Sequence, residues 1–355
     1  MAWPLFSITS KKILGIDIGS SAIKIVELSG GSERAKLENY GILQSKFLYE
    51  KPFRTFEKST LALSTRDIAG AISAILREAK IRTKVANFSL PDFSSFFTTF
   101  ELPPMGQDEI SQAVQFEARQ HVPLPIREMA LDWVVTGGGP LEQKREKLKI
   151  LLVAVPKSVV NQYQEISALS GLKLQNLEAE VFALSRALVK EEKGVGVLVD
   201  IGAESTTCSV VENGVLKMSH SFDVSGNKLT KALVESLDID SEMAERLKLK
   251  YGLSPAGQVI PKILQPLFDL VIIEIKKISR HFFEREGKNV ERVILAGGTA
   301  NLKGVREYFA EKLKKEIRIG NPFSEVTYPQ ILERVLIEEG PTFAIAIGVG
   351  LGGFL

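Results

Sequence analysis

The sequence predicts an α/β protein of two similar lobes, with a small α+β unit inserted in the first. Three observations carry that prediction. The segments GIDIGSSAIK (15–24) and VLVDIGAEST (197–206) are near-copies half a chain apart: an apolar strand, Asp-Ile-Gly, then small hydroxyl residues. Short buried strands alternate with amphipathic helices along a chain of 355 residues, long enough for two lobes. The run from about Phe93 to Gly171 has a strand, helix, hairpin, helix order of its own.

Composition narrows the function classes. Hydrophobic content of 45% and charged content of 25% are ordinary for a soluble globular protein. A net charge of +2 gives no electrostatic footprint for nucleic acid. The single cysteine, Cys208, excludes an intrachain disulfide and fits a reducing compartment. Met1 to Lys12 carries its basic residues after its apolar ones, unlike a signal peptide. Trp3, Leu5 and Phe6 there either touch lipid or a partner, or belong to a frayed or packed terminus. No apolar run approaches the roughly 20 residues that span a bilayer, and the most apolar stretch, Thr342 to Leu355, is short and glycine-rich. The expectation is a soluble cytoplasmic protein that reaches a membrane only through a partner.

Ile13 to Ile18 and Ile23 to Leu28 read as strands around a tight turn, and Gly30-Gly31-Ser32 turns the chain again. Ser64 or Thr65 caps a helix whose Ile68, Ala71, Ile72, Ile75, Leu76 and Ala79 form one stripe. Lys84 to Leu90 is a strand ended by Pro91. In the inserted unit, Phe96 to Leu102 is a strand, and Asp108 to His121 is a helix stopped by Pro123 and Pro125. Leu131 to Thr136 and Leu148 to Val155 form a hairpin, and Ser158 to Ser170 is a helix closed by Gly171. Gly137-Gly138-Gly139-Pro140 reads as a hairpin tip rather than a phosphate loop, because no helix begins after it. The aromatic run FSSFFTTFEL (93–102) fits a core, with a groove wall as the alternative. Val195 to Ile201 and Thr206 to Val211 are strands leading to an Asn213-Gly214 turn. Helices follow at about Asn227 to Leu237, Ser241 to Tyr251 and Leu264 to Glu286. Val290 to Ala296 is a buried strand, and Thr342 to Gly352 a helix of small residues able to pack closely.

An isolated Asp-Ile-Gly is an ordinary strand-end turn, but two matched copies point to a phosphate site. Gly19 and Gly202 let the backbone approach an anion, and amides in such turns form an anion-binding concavity. Ser20, Ser21, Ser205 and Thr206 can donate to phosphate oxygens, and Lys24 adds a cation. Asp17 and Asp200 suit Mg²⁺, which takes one or two carboxylates plus water and phosphate. A third element, VILAGGTANLKGV (293–305), is a strand, then Gly297-Gly298-Thr299, then a helix start. Its glycine pair would let backbone lie against adenosine and the α-phosphate.

These three motifs, in this order and spacing, resemble the actin-like ATPase superfamily over nearly the whole chain. The resemblance implies ATP and Mg²⁺ as cofactors and a ribonuclease H-like, two-lobed fold whose loops grip the phosphates from both sides. EAEVFALSRAL (178–188) lies where that superfamily has its first connecting helix. Glu180 falls where members carry the acid that positions the attacking water, in a Glu-Pro context; here Val181 replaces the proline. A helix-start glutamate favoured by the dipole is the other reading. AERLK (244–248) resembles the stretch whose Glu and Lys touch ribose and adenine, making Glu245 and Lys248 candidates beside the plain alternative of a solvated i, i+3 pair. Glu180 and Asp200 are then the candidate catalytic residues. The implied division is 1–92 with 176–193 as first-lobe core and 93–175 as the insert. The second-lobe core takes 194–225 with 290–355, and 226–289 is a helical subdomain.

Within the superfamily the chain is most similar to the PilM family of type IV pilus assembly. KILGIDIGSSAIKIVELS, ELPPMGQDEISQAVQFEARQHVPLPIREMALDW, VLVDIGAESTTCSVVENG and LAGGTANLKGV all read like it. No further amphipathic tail follows the last connecting helix, which favours PilM over FtsA. The resemblance implies an ATP-binding adaptor at the inner face of the cytoplasmic membrane. It would hold the N-terminal tail of a PilN-like bitopic membrane protein between the insert and the first lobe, and communicate with motor or platform proteins. Hydrolysis would be slow at most. An FtsA-like filament protein and a small-molecule kinase of the same fold are the alternatives.

Overall fold

The computed structural model describes residues 11–30, 34–47, 51–54, 61–138, 147–189 and 192–354. The aromatic terminal segment around Trp3, the turn residues Gly31-Ser32, and Gly139-Pro140 with the charged run after them lie outside the described residues.

Two sheets repeat one plan. In the first, β1 (Lys12–Ile18) pairs antiparallel with β2 (Ala22–Ser29), which pairs with β3 (Ala35–Gln44). On the other side β1 runs parallel to β4 (Val85–Leu90), and β4 runs parallel to β8 (Lys173–Ala179). In the second, β9 (Val195–Ile201) pairs antiparallel with β10 (Thr206–Glu212), and β10 with β11 (Val215–Phe222). There β9 runs parallel to β12 (Arg292–Ala296) and β12 to β13 (Glu316–Ile319). The hairpins close in the same register, Ile18 opposite Ile23 and Ile201 opposite Thr206. The sequence near-repeat is thus a repeat of topology. A short strand, β14 (Val326–Thr327), joins the first sheet beside β3 although it follows the second lobe's strands in sequence.

The first sheet is covered on both faces, which is why β1 and β2 read as nearly continuous apolar runs. Leu14, Ile16, Ile18, Ile23 and Ile25 face α1 (Thr65–Glu78) and α3 (Lys157–Leu169) through Ile68, Ile72, Val159, Tyr163 and Ile166. Ser64 caps α1, its hydroxyl accepting from the Asp67 N–H at 3.2 Å, and Gly171 ends α3's turn with φ +65°. The alternate residues Ile13, Val26 and Leu28 face Phe343, Ala346 and Ile347 of α9 (Glu333–Leu351). The second sheet packs against α5 (Gly226–Leu237), α7 (Val259–Glu286) and α8 (Val305–Leu313), with α6 (Ser241–Tyr251) beside them. The insert is a three-stranded sheet, β5 (Phe96–Leu102), β7 (Leu148–Pro156) and β6 (Met129–Gly137), covered by α2 (Gln107–His121) through Ile110, Val114 and Ala118. Phe100 lies in that core; Phe97 leaves it to meet Phe182 of α4 (Glu180–Leu188).

Two helices begin earlier than their sequences suggest. α7 begins at Val259 and α9 at Glu333; Pro261 sits in the first turn of α7, where no helical hydrogen bond is lost. Pro266 and Pro341 lie inside their helices. As a result the stretch 330–354, whose most apolar 18-residue window has a mean hydropathy of 1.4, is long and apolar enough by length and composition to cross a membrane. This corrects the expectation that no run approaches that length. In the fold, 56% of its most apolar window is buried, and its small residues serve packing. A Cβ on Gly348 of α9 would collide with the carbonyl of Ala183 in α4, and one on Gly15 of β1 with the carbonyl of Ala346. Backbone therefore lies on backbone where α4, α9 and β1 cross.

Gly348→Val is expected to destabilise the protein by about 3 kcal/mol or more, because the neighbour is main chain and cannot yield. A denaturant midpoint equal to that of the parent would contradict the packing.

Candidate functional site

The β1–β2 and β9–β10 turns are built alike. Gly19 N–H donates to the Ala22 carbonyl at 3.0 Å, and Gly202 N–H to the Ser205 carbonyl at 2.9 Å. Each turn is braced from behind. Phe53 N–H donates to the Ser20 carbonyl and Ser45 N–H to that of Ser21, both at 2.8 Å. At the N-terminus of α5, Gly226 N–H donates to the Gly202 carbonyl at 2.9 Å, and Asn227 N–H to that of Ala203 at 3.0 Å. Ser20 is buried, Ser21 is exposed, and Ser205 is half-buried at its turn. Thr206 departs from expectation: its fully buried hydroxyl donates to the Val224 carbonyl at 2.6 Å, so it faces the core.

Asp17 ends β1, buried, with Oδ2 accepting from Lys24 Nζ at 2.9 Å and Oδ1 from Ser89 Oγ at 3.1 Å. Lys24 stands opposite Asp17 in the hairpin register, which is why the spacing of seven brings them together. Asp200 occupies the matching place on β9 and meets the third motif. Gly297 has φ +81°, and a Cβ on it would lie 2.5 Å from Asp200 Oδ1, so only glycine fits there. Gly298 is different, since a Cβ there would meet only Thr342 Oγ1, at 3.8 Å. Bulk at Gly298 would fill space and leave the chain around it undisturbed.

The second-lobe residues converge on α5. Lys248 is buried, and its Nζ lies 2.7 Å from Glu245 Oε2, 3.0 Å from the Gly226 carbonyl and 2.8 Å from Thr230 Oγ1. Thr230 Oγ1 also donates to Glu245 Oε2 at 2.5 Å. A Cβ on Gly226 would stand 2.9 Å from Thr299 Oγ1 and 3.7 Å from Lys248 Nζ. Glu245 and Lys248 are therefore not a solvated surface pair. Burial lowers the Lys248 pKa against the pull of Glu245.

Glu180 begins α4 with both carboxylate oxygens engaged. Arg54 Nη2 donates to Oε1 at 2.8 Å, and the Asp92 N–H to Oε2 at 3.3 Å. Asp92 Oδ1 in turn accepts from the Val181 N–H at 3.1 Å, and Arg54 Nη1 lies 3.4 Å from the Tyr163 hydroxyl. Burial pushes the Glu180 pKa up, against the opposing charge of Arg54. Burial and then Glu180 raise Asp92 well above the usual carboxylate range. Asp200 is pushed up to about 7 by burial and by Glu180, with Lys24 opposing. Among the described residues these groups form one electrostatic neighbourhood in which the carboxyls Asp17, Asp92, Glu180 and Asp200 outnumber the cations Lys24 and Arg54. That surplus fits a divalent cation. Among the described residues no three His, Cys, Asp or Glu side chains are arranged to hold a metal alone. A hydrated Mg²⁺ that shares phosphate oxygens needs no such cluster.

Sequence reasoning missed Arg54, Ser89, Asp92, Gly226 and Thr230. Ser225-Gly226 carried a signal, a serine cap at a helix start, and Ser225 Oγ does accept from the Lys228 N–H. Arg54, a lone arginine in a stretch without periodicity, carried none.

The raised Asp200 pKa has a testable sign. Below the ordinary aspartate value of about 4 the carboxyl is protonated in both states and costs nothing; as pH rises from there the unfolded chain ionises first, and the penalty grows until it is complete above about 7. Asp200→Asn is therefore expected to raise the Tm of the nucleotide-free protein more at pH 8 than at pH 5. Equal shifts at both pH values would show that Asp200 is not held in this field.

Comparison with known proteins places the chain. A family model described as type IV pilus assembly protein PilM matches residues 15–354. A chain of the PilM–PilN type IV pilus biogenesis complex superposes with a TM-score of 0.85 and 26% identity, covering 98% of this chain and 99% of that one. MreB5 of Spiroplasma citri bound to ADP superposes at TM-score 0.51 with 12% identity, over 96% of this chain and 95% of that one, a likeness of fold alone. Cell division protein FtsA of Pseudomonas aeruginosa is 22% identical over 366 residues, 89% of this chain and 84% of that protein. FtsA of Bacillus subtilis is 24% identical over 258 residues, 62% of this chain and 58% of that protein, so the match spans less than two thirds of that relative. The two-lobed architecture is the actin-like fold, and the chain belongs to the family of type IV pilus assembly proteins PilM.

Proposed function

We propose that the protein is an ATP-binding adaptor of type IV pilus assembly, at the cytoplasmic face of the inner membrane, that holds the N-terminal tail of a PilN-like protein. The observation that carries the nucleotide half is the pair of matching turns, Gly19–Ala22 and Gly202–Ser205, with Asp17 and Asp200 beside them. In this reading Gly19, Ser20, Ser21, Lys24, Gly202 and Ser205 hold the phosphates. Gly297, Gly298, Thr299, Glu245 and Lys248 hold the nucleoside. Mg²⁺, held by Asp17 and Asp200 with the phosphates, would neutralise the charge gathered there. Thr206 is left out, since its hydroxyl is spent on Val224.

The partner half is supported by the PilM–PilN likeness and by a groove lined by Leu124, Arg127, Glu128, Met129, Pro156 and Lys157. It runs between the insert and the start of α3, which packs on the first lobe. An extended tail fits such a place. The division read from the sequence, with 93–175 as the insert, is narrowed here to about 93–156, because α3 packs on α1 and the first sheet and β8 pairs with β4. A kinase would need a free base in the cleft, and the candidate Glu180 has both oxygens engaged.

A synthetic N-terminal tail of the PilN-like protein encoded with this chain is expected to bind in titration calorimetry with a Kd of about 10 μM or tighter. No heat with or without Mg·ATP would defeat the adaptor reading. Asp17→Ala and Asp200→Ala are each expected to weaken Mg·ATP by about tenfold or more while the fold is kept. Gly298→Val should abolish binding by bulk, and unchanged affinity in all three would remove the site.

A further inference from the structure

We infer that Arg54 is the residue that distinguishes a nucleoside triphosphate from a diphosphate in this cleft. The inference rests on the nucleotide reading above and adds a residue to it.

The two ends of the cleft are chemically distinct. The nucleoside end is marked by Lys248, Glu245, Thr299 and the open space at Gly298. At the other end, past the first turn, stand Arg54 and Glu180. Phe53 N–H donates to the Ser20 carbonyl at 2.8 Å, so residue 54 follows directly on the backbone that braces the first phosphate turn. From there the side chain reaches the N-terminus of α4 and donates to Glu180 Oε1 at 2.8 Å. Its guanidinium lies 5.4 Å from the Phe93 ring centroid and 3.4 Å from the Tyr163 hydroxyl. Asp17 of the first turn acts on the Arg54 charge, so the last member of a phosphate chain held between the turns is assigned to this place.

Arg54 is 5% exposed, and its Nε, buried, has no hydrogen-bond partner among the described residues. A buried unpaired donor is uncommon and calls for an acceptor. A terminal phosphate brings three, and the planar arginine fork matches them in a way an ammonium does not. Glu180 holds the fork in place meanwhile.

The competing explanation is that Arg54 only fastens α4 to α3. That role would move thermal stability and leave nucleotide discrimination alone. The test measures Mg·ATP and Mg·ADP affinities of the full chain by titration calorimetry for the parent, Arg54→Met and Arg54→Lys, with Tm alongside. Arg54→Met is expected to weaken ATP by about tenfold or more and ADP by less than about twofold. Arg54→Lys, which keeps the charge and is the variant that decides the matter should Arg54→Met not fold, is expected to lower the ATP-over-ADP preference by about threefold or more. Equal losses for both nucleotides, or an unchanged ratio with only a lower Tm, would overturn the inference. A parent protein that binds neither nucleotide would overturn the nucleotide reading itself, and this inference with it.

Discussion

The arrangement depends on one crossing, where α9 lies on α4 and β1 with no side chain between. Gly348 against the Ala183 carbonyl, and Gly15 against the Ala346 carbonyl, leave no room for a methyl group. The two helices also carry site elements, at the N-terminus of α4 and midway along α9. Glu180 begins α4. In α9 the Pro341 carbonyl accepts from Gly297 N–H at 3.1 Å, and Thr342 faces Gly298. Because the helices touch main chain to main chain, the distance between the first lobe's acid and the second lobe's glycine pair is set by backbone geometry. Looser side-chain packing would let that distance drift.

The cleft is the opposite case, a place where local stability is given up. Three carboxyl groups, Asp92, Glu180 and Asp200, are pushed toward their protonated forms by burial first and then by neighbouring carboxylates, Asp17 in the case of Glu180. An apolar core would avoid this, and a fold selected for stability alone would not gather them. Lys24 and Arg54 answer only part of the charge. In the proposed reading the remainder is answered by a bound cation, which would also carry the phosphates, so the field that weakens the empty protein would favour the filled one.

How far the sequence could be read follows from which signals are local. The hairpins, α1 with its Ser64 cap, α3 with Gly171 and the buried strands β9 and β12 are all legible because periodicity, caps and turns are encoded within a few residues of each other. Asp17 and Lys24 are legible as partners once the hairpin is recognised. β8 was not read: KLQNLEA is polar and belongs to an edge of the first sheet, so its pairing is decided by β4 and not by its own composition. β14 is two residues long and joins the first sheet from nearly 300 positions away. Thr206 looked like its neighbour Ser205, and only the position of Val224 shows that its hydroxyl points inward. Arg54 is the clearest case. Its importance comes from Glu180, 126 residues downstream, and nothing near it in sequence announces that contact.

Besides the pairing of β14 with β3, the insert adds a further tie between the lobes, and its strength can be compared with that of the helix crossing. Lys149 Nζ of β7 lies 2.8 and 2.7 Å from the Glu286 carboxylate at the end of α7. Arg285 Nη1 donates to Thr99 Oγ1 at 2.8 Å, and Lys217 Nζ to the Thr136 carbonyl at 2.9 Å. These groups are partly exposed, and contacts of that kind are each worth about 1 kcal/mol or less. The crossing of α4 and α9 is buried main-chain contact backed by Ala344, Val349, Leu184 and Ala183 in one apolar cluster, and separating it would expose far more surface. A relative rotation of the lobes would therefore turn about the helix crossing and give way at the insert. The groove beside α3 belongs to that same insert, so whatever fills the groove grips the part of the molecule that a hinge motion must either release from the second lobe or carry along.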